Sequence, residues 1–158
     1  MGILVTGDKA TGEKWRDNWI TPDYIKDLVR ACFGTDFFDP CPENPTKDAL
    51  TIPWEPFSFI NGPYSEFKAG KWLDHGLQQP SPQIWLAFSN TETVWWQRLA
   101  KSSTAICFVK KRIRFIDPRT YEKSEKPTQA STIFYRGDSP YSFKRHFDDM
   151  GIIVLPVV

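Results

Sequence analysis

Two short apolar runs are each cut off by a proline-bearing polar turn, and this feature limits the fold more sharply than any other. The first is Phe37-Phe38 running into Asp39-Pro40-Cys41-Pro42-Glu43-Asn44; the second is Phe59-Ile60 running into Asn61-Gly62-Pro63-Tyr64-Ser65. Proline lacks a backbone N–H and fixes φ, so a strand cannot run on through either turn. Two strands stopped in this way put polar side chains at their ends. In open α/β sheets, ligands bind beyond the carboxyl ends of the strands, so the two turns are expected to line one crevice.

The remaining pattern supports such a sheet. Thr21-Pro22 reads as a helix start, with Thr as cap and Pro in the first helical position. Tyr24, Ile25, Leu28, Val29 and Cys32 then recur at helical spacing until Gly34. Further helices are predicted over 66–78 and from Thr91 to Leu99. Strands are predicted at Phe57–Ile60, Gln83–Phe88, Ala105–Val109, Ile113–Ile116, Ser131–Tyr135 and Ile152–Val157, with a basic turn between the fourth and the third of these. The alternation predicts an α/β fold: a compact Rossmann-like sheet, mostly parallel with an antiparallel end, and helices on both faces. A chain of 158 residues has room for one hydrophobic core, so a single domain over 15–158 is expected after a flexible lead-in over 1–14. Gly7 to Lys14 superficially matches a phosphate-binding loop, but Trp15 stands where Ser or Thr must follow the lysine, and that reading is set aside.

Several classes of function are excluded. Cys32, Cys41 and Cys107 form no C-x-x-C pair and His75 lies far from His146, so no metal site is expected and the thiols are expected to be free. No apolar run approaches the roughly 20 residues of a membrane-spanning helix, and the N-terminus has no secretory pattern, so a cytoplasmic protein without a membrane partner is expected. Net charge is only +1, yet Arg98, Lys101, Lys110, Lys111, Arg112, Arg114 and Arg119 stand against the single acid Asp117 between positions 98 and 119. A phosphate-bearing partner would account for such a patch. Arg136, Lys144, Arg145 and His146 form a second, looser cluster, and 117–130 reads as a loop able to close over a substrate.

The second turn has a specific chemical capacity. The side-chain oxygen of Asn61 and the carbonyl of Gly62 can accept hydrogen bonds from one amino group and aim its lone pair, while the Tyr64 ring offers a surface for a flat heterocycle. Methylation of an amine needs that arrangement: a neutral NH2 held by acceptors, with a methyl sulfonium in line. A base inside a duplex must first be flipped out, at about a few kcal/mol.

At this level of detail the sequence resembles the phage DNA N6-adenine methyltransferases (Dam-like). The resemblance rests on Trp19 followed by Thr21-Pro22, on Phe37, Asp39, Pro40 and Asn44, on Trp54, and on the turn from Asn61 to Ser65. It continues through Ile84–Phe88 with the threonine and tryptophans beyond it, and through Phe108, Arg112 and Phe115, covering roughly 15–155. It implies a methyltransferase sheet with S-adenosylmethionine as cofactor, and Asn61, Gly62, Pro63 and Tyr64 as the catalytic turn. Trp19, Thr21, Pro22, Asp39, Pro40 and Asn61 would lie along the cofactor. Ser65, Lys110, Lys111, Arg112 and Arg114 would face double-stranded DNA, in a phage or prophage protein that protects DNA from host restriction. Gly62 replaces the first proline of the family's usual turn. Two other readings use the same residues: methylation of cytosine N4 or another base amine, and a catalytically degenerate module that grips DNA or protein.

Overall fold

The computed structural model describes residues 19–67 and 70–157, with the side chains of Tyr64 and Ser65 outside that set. The expected lead-in over 1–14 and the Gly7–Lys14 stretch therefore lie outside the described residues. The chain is mixed α/β. In order it forms α1 (Asp23–Phe33), β1 (Ser58–Ile60), α2 (Tyr64–Phe67), α3 (Lys71–Gly76), β2 (Gln83–Phe88), α4 (Val94–Lys101), β3 (Ala105–Val109), β4 (Ser131–Arg136), α5 (Pro140–Phe147) and β5 (Gly151–Val154).

The five strands form one open sheet in the order β1-β2-β4-β3-β5. The expectation of a mostly parallel, Rossmann-like sheet is corrected here. Only β1 and β2 pair in parallel; β2 with β4, β3 with β4 and β3 with β5 are all antiparallel. The physical reason is an insertion. Since β2 and β3 are both antiparallel to β4, they run the same way as each other and as β1. After the long excursion through 110–130, β4 enters between them in the opposite direction. Strand–helix alternation therefore conveyed strand direction but not neighbourhood.

The sheet is covered on both faces because its strands alternate strictly. Phe59, Ile84, Leu86, Ala105, Cys107, Ile133 and Tyr135 point to the face that packs against Ile25 and Val29 of α1 and Phe143 and Phe147 of α5. Ile60, Trp85, Ala87, Ile106 and Phe134 point to the other, against Phe67, Trp72 and Leu73 of α2 and α3 and Trp95, Trp96 and Leu99 of α4. This is the period of two that a pleated strand imposes. The second face is the aromatic one, where the ring of Trp54 stands 5.8 Å from that of Trp72 and 6.0 Å from that of Trp85.

Other expectations are adjusted by local geometry. The helix predicted over 66–78 is broken by Gly70, whose φ of 74° is left-handed. Among the described residues, the stretch Ile113–Ile116 is no strand of the sheet, and only Ile116 of it pairs, with Ile20 on one side and Lys123 on the other. Phe37-Phe38 contributes a single parallel bridge, Phe38 to Ser58. Among the described residues, no helix is long and apolar enough to cross a membrane.

Gly76 shows how tightly the aromatic face is filled, since a Cβ there would stand 2.7 Å from ring atoms of both Trp54 and Trp85. Overpacking of this kind costs about 1–3 kcal/mol. Gly76→Ala is expected to lower stability by that amount in urea denaturation, and an unchanged midpoint would mean that the rings yield freely.

Candidate active site

One edge of the sheet gathers most of the residues singled out by sequence. Because β1, β2 and β3 run the same way, their carboxyl ends deliver Asn61, Ser89 and Lys110 to that edge, and the parallel bridge of Phe38 to Ser58 brings Asp39 there too. The segment before α1 lies against the same edge. Ile20 and Ile116 exchange backbone hydrogen bonds, each of 2.9 Å, which places Trp19, Ile20 and Thr21 between the Asn61 turn and the chain that leaves β3.

Asn61 is tied to this segment. Its Nδ2 donates to Thr21 Oγ1 at 2.7 Å and to the Trp19 carbonyl at 3.3 Å. With the nitrogen committed in that direction, the side-chain oxygen is directed the other way, so the amide is oriented rather than rotating. This corrects the expected role of Thr21 as a helix cap. The N-cap of α1 is Pro22, without a side-chain cap bond, and the threonine hydroxyl is spent on Asn61 instead. At the other end of the helix, Gly34 takes the left-handed cap conformation and its N–H donates to the Arg30 carbonyl.

Gly62 and Pro63 are buried. The position is closely packed: its φ is not left-handed, and a Cβ would lie 3.3 Å from Phe67 and 3.4 Å from Trp72, a fit that asks those rings to give by a few tenths of an ångström. The turn is thus pinned from below by the aromatic face. The backbone of Tyr64 and Ser65 opens α2, but their expected roles in stacking and DNA contact concern side chains outside the described residues.

A small cavity of about 60 Å³, opening into a wider solvent-filled cleft, lies between the two turns and is lined by Trp19, Ile20, Thr21, Lys26, Asp39 and Asn61, with Cys41, Pro42, Glu43 and Phe59. Asp39 and Asn61, from different strand ends, thus face one space as expected. Pro22 and Pro40 are buried beside it and do not line it. One carboxylate oxygen of Asp39 accepts from the Cys41 N–H at 2.8 Å, which stabilises its own turn. Loss of solvent pushes the Asp39 pKa up from the ordinary aspartate value, against the opposing pull of that hydrogen bond and of the Lys26 charge. Sequence reasoning missed Lys26 and Glu43. Lys26 sits one turn into α1 and reads as an ordinary polar helix residue, and Glu43 reads as part of an irregular loop.

A second cavity, of about 140 Å³ and open to solvent, lies on the other side of Trp19. Its walls are Trp19, Phe88, Ile113 and Phe115, with Ser124, Lys126, Pro127, Thr128 and Gln129 along the loop that follows. The rings of Phe88 and Phe115 meet edge to face at 6.5 Å. In this stretch Ile113 and Phe115 are buried while Arg112 and Arg114 are exposed. Arg114 Nε donates to the Ser124 carbonyl at 2.7 Å and an Arg112 guanidinium N–H to the Pro127 carbonyl at 3.3 Å, so both cations brace the loop that closes the cavity.

The basic patch read from the sequence divides. Lys110, Lys111, Arg112 and Arg114 follow β3 and lie at the crevice edge, all exposed. Arg98 and Lys101 end α4, before β3 begins, and so belong to the opposite edge, where Arg98 pairs with Asp74 at 2.6 Å. Arg136 also belongs there, half-buried and donating to Gln83 Oε1 at 2.7 Å and to the Ser102 carbonyl at 3.1 Å. Among the described residues, no group of His, Cys, Asp and Glu side chains stands close enough together to hold a metal ion.

No curated protein and no solved structure matches the chain. A family profile does, over residues 8–143, and its description is DNA N-6-adenine-methyltransferase (Dam). The match takes in both turns, the Trp19–Thr21 segment, both cavities and the basic stretch after β3. With well over half its length covered, the chain belongs to the DNA N-6-adenine-methyltransferase family.

Proposed function

We propose that this chain, as a single domain over 15–158, transfers a methyl group from S-adenosylmethionine to the N6 amino group of an adenine flipped out of double-stranded DNA. The observation that carries the reading is the Asn61 amide, held at the end of β1 by Thr21 and Trp19 and opening on the cavity that contains Asp39.

The first cavity suits the cofactor. S-adenosylmethionine combines a sulfonium, an ammonium, a carboxylate and a flat base, and the lining offers Asp39 and Glu43 to the cations, Lys26 to the anion and Trp19 to an apolar surface. Thr21 and Asn61 complete the wall, and Pro22 and Pro40 fix the backbone beside it. When bound, the cofactor supplies an electrophilic methyl group on a positively charged sulfur.

The chain's own residues do the positioning. The Asn61 side-chain oxygen and the Gly62 carbonyl accept from the two N–H bonds of the target amine, so its lone pair is aimed without a base to deprotonate it beforehand. Pro63 fixes the turn. Tyr64 stacks on the base, and stacking of about 1–3 kcal/mol offsets part of the flipping cost. The second cavity receives the edge of the same ring, its apolar walls Phe88, Ile113 and Phe115 excluding water. Ser65, Lys110, Lys111, Arg112 and Arg114 lie along the DNA backbone, the arginines also bracing the loop. The proton leaves to solvent after transfer.

The reading is tested by incubating the protein with S-adenosylmethionine and unmethylated DNA, then digesting the DNA to nucleosides for mass spectrometry. N6-methyladenine is expected. Methyl mass on cytosine would reassign the acceptor, and a failure to bind the cofactor in titration calorimetry would leave a DNA- or protein-gripping module. Asn61→Ala is expected to lower kcat by at least about 100-fold with the thermal midpoint kept, a loss typical of removing one aligned polar group. Thr21→Val keeps the shape but removes the acceptor that orients Asn61. It is expected to lower kcat about 10-fold with little change in KM. Full turnover in Asn61→Ala would refute the site assignment.

A further inference from the structure

Tyr121 occupies a conformation that its residue type disfavours. Its φ of 59° is left-handed, where a residue other than Gly, Asn or Asp is uncommon and carries a conformational cost. It lies in a tight turn, in which the Asp117 N–H donates to the Glu122 carbonyl at 2.9 Å and the Tyr121 N–H to the Asp117 carbonyl at 2.7 Å. Asp117 also holds Arg119 through its N–H at 2.8 Å and its guanidinium at 2.8 Å. Glycine or asparagine would make such a turn at less cost. The tyrosine gains no burial in return, being 66% exposed.

What its side chain does gain is a hydrogen bond. The Tyr121 hydroxyl donates to Glu43 Oε1 at 2.7 Å, between residues 78 apart in sequence. Accepting that bond, the carboxylate also pushes the phenol's pKa up. Glu43 is a wall of the first cavity, while the 117–122 turn leaves from Ile116, which is bridged to Ile20 on another wall of the same cavity. The hydrogen bond therefore closes a strap that runs from the Ile20 wall to the Glu43 wall.

We infer that Tyr121 is a positioning residue of this cavity: its hydroxyl latches the 117–122 strap to Glu43, sets that carboxylate in the cavity wall, and must let go for the cofactor to enter and its demethylated product to leave. The inference rests on reading the cavity as the S-adenosylmethionine site. The turn's backbone cost has a function under this reading, because the long side chain with a donor at its tip reaches across where glycine or asparagine would not.

Three variants separate the latch from the turn and from the charge. Tyr121→Phe removes only the hydroxyl, Tyr121→Asn suits the left-handed backbone but cannot reach Glu43, and Glu43→Gln keeps an acceptor while removing the charge. Hydrogen–deuterium exchange of the 117–122 amides, measured without ligand, and stopped-flow release of S-adenosylhomocysteine are the two readouts. Tyr121→Phe is expected to raise both exchange and release by about 3–10-fold, the range of one lost hydrogen bond, with the thermal midpoint unmoved. Tyr121→Asn is expected to release as fast as Tyr121→Phe despite its easier turn. Glu43→Gln is expected to exchange like the wild type but to bind S-adenosylmethionine more weakly. Unchanged exchange in Tyr121→Phe, or release from it at the wild-type rate, overturns the latch. If the wild type binds neither compound, the cofactor reading falls while the exchange data still decide whether the strap is latched.

Discussion

The bond from Asn61 Nδ2 to Thr21 Oγ1 is the interaction on which the arrangement at the sheet edge depends. It joins the turn that ends a three-residue strand to Thr21, two residues before α1. A hydrogen bond of this kind contributes only about 1 kcal/mol net to folding, so its importance lies in orientation rather than stability. It tells the amide which end is nitrogen. It also draws Trp19 and Ile20 over the crevice, where Ile20 pairs with Ile116 and supplies the floor from which the 117–122 strap departs. From beneath, the rings of Phe67 and Trp72 pack against Gly62.

Much of this was legible in the sequence where a residue's local chemistry and its tertiary role agree. Gln83–Phe88 and Ala105–Val109 are strands with the bounds that their apolar runs suggest, and the Asp39 and Asn61 turns face one cavity because the Phe38 bridge runs parallel to β1. Legibility failed where a distant partner decides. Nothing near Ser131–Arg136 announces that this strand enters between two others. Ile113 to Phe115 alternates inward and outward like a strand, yet Arg112 and Arg114 donate to loop carbonyls and the segment walls a cavity instead of joining the sheet. Thr21 carries the signature of a helix cap, and a residue 40 positions later claims its hydroxyl.

Charge was read least well because a tally along the chain ignores the length of a strand. β3 alone separates its two ends by roughly 15 Å, about twice the screening length at physiological salt. Lys101 and Lys110 are near neighbours in sequence but belong to opposite edges of the sheet, and Arg136 is consumed by Gln83 and backbone carbonyls at the far edge. What remains at the crevice is a short exposed run after β3, next to the loop that its arginines brace.

Trp19 lines both cavities, so one indole is a party wall between two rooms. A guest on one side that nudges the ring alters the shape offered on the other, and thermodynamic linkage makes the influence mutual and equal in size. Were both rooms filled at once, as the proposed function requires, the order of arrival and the affinity of a molecule bridging them would depend on how far that one side chain can swing.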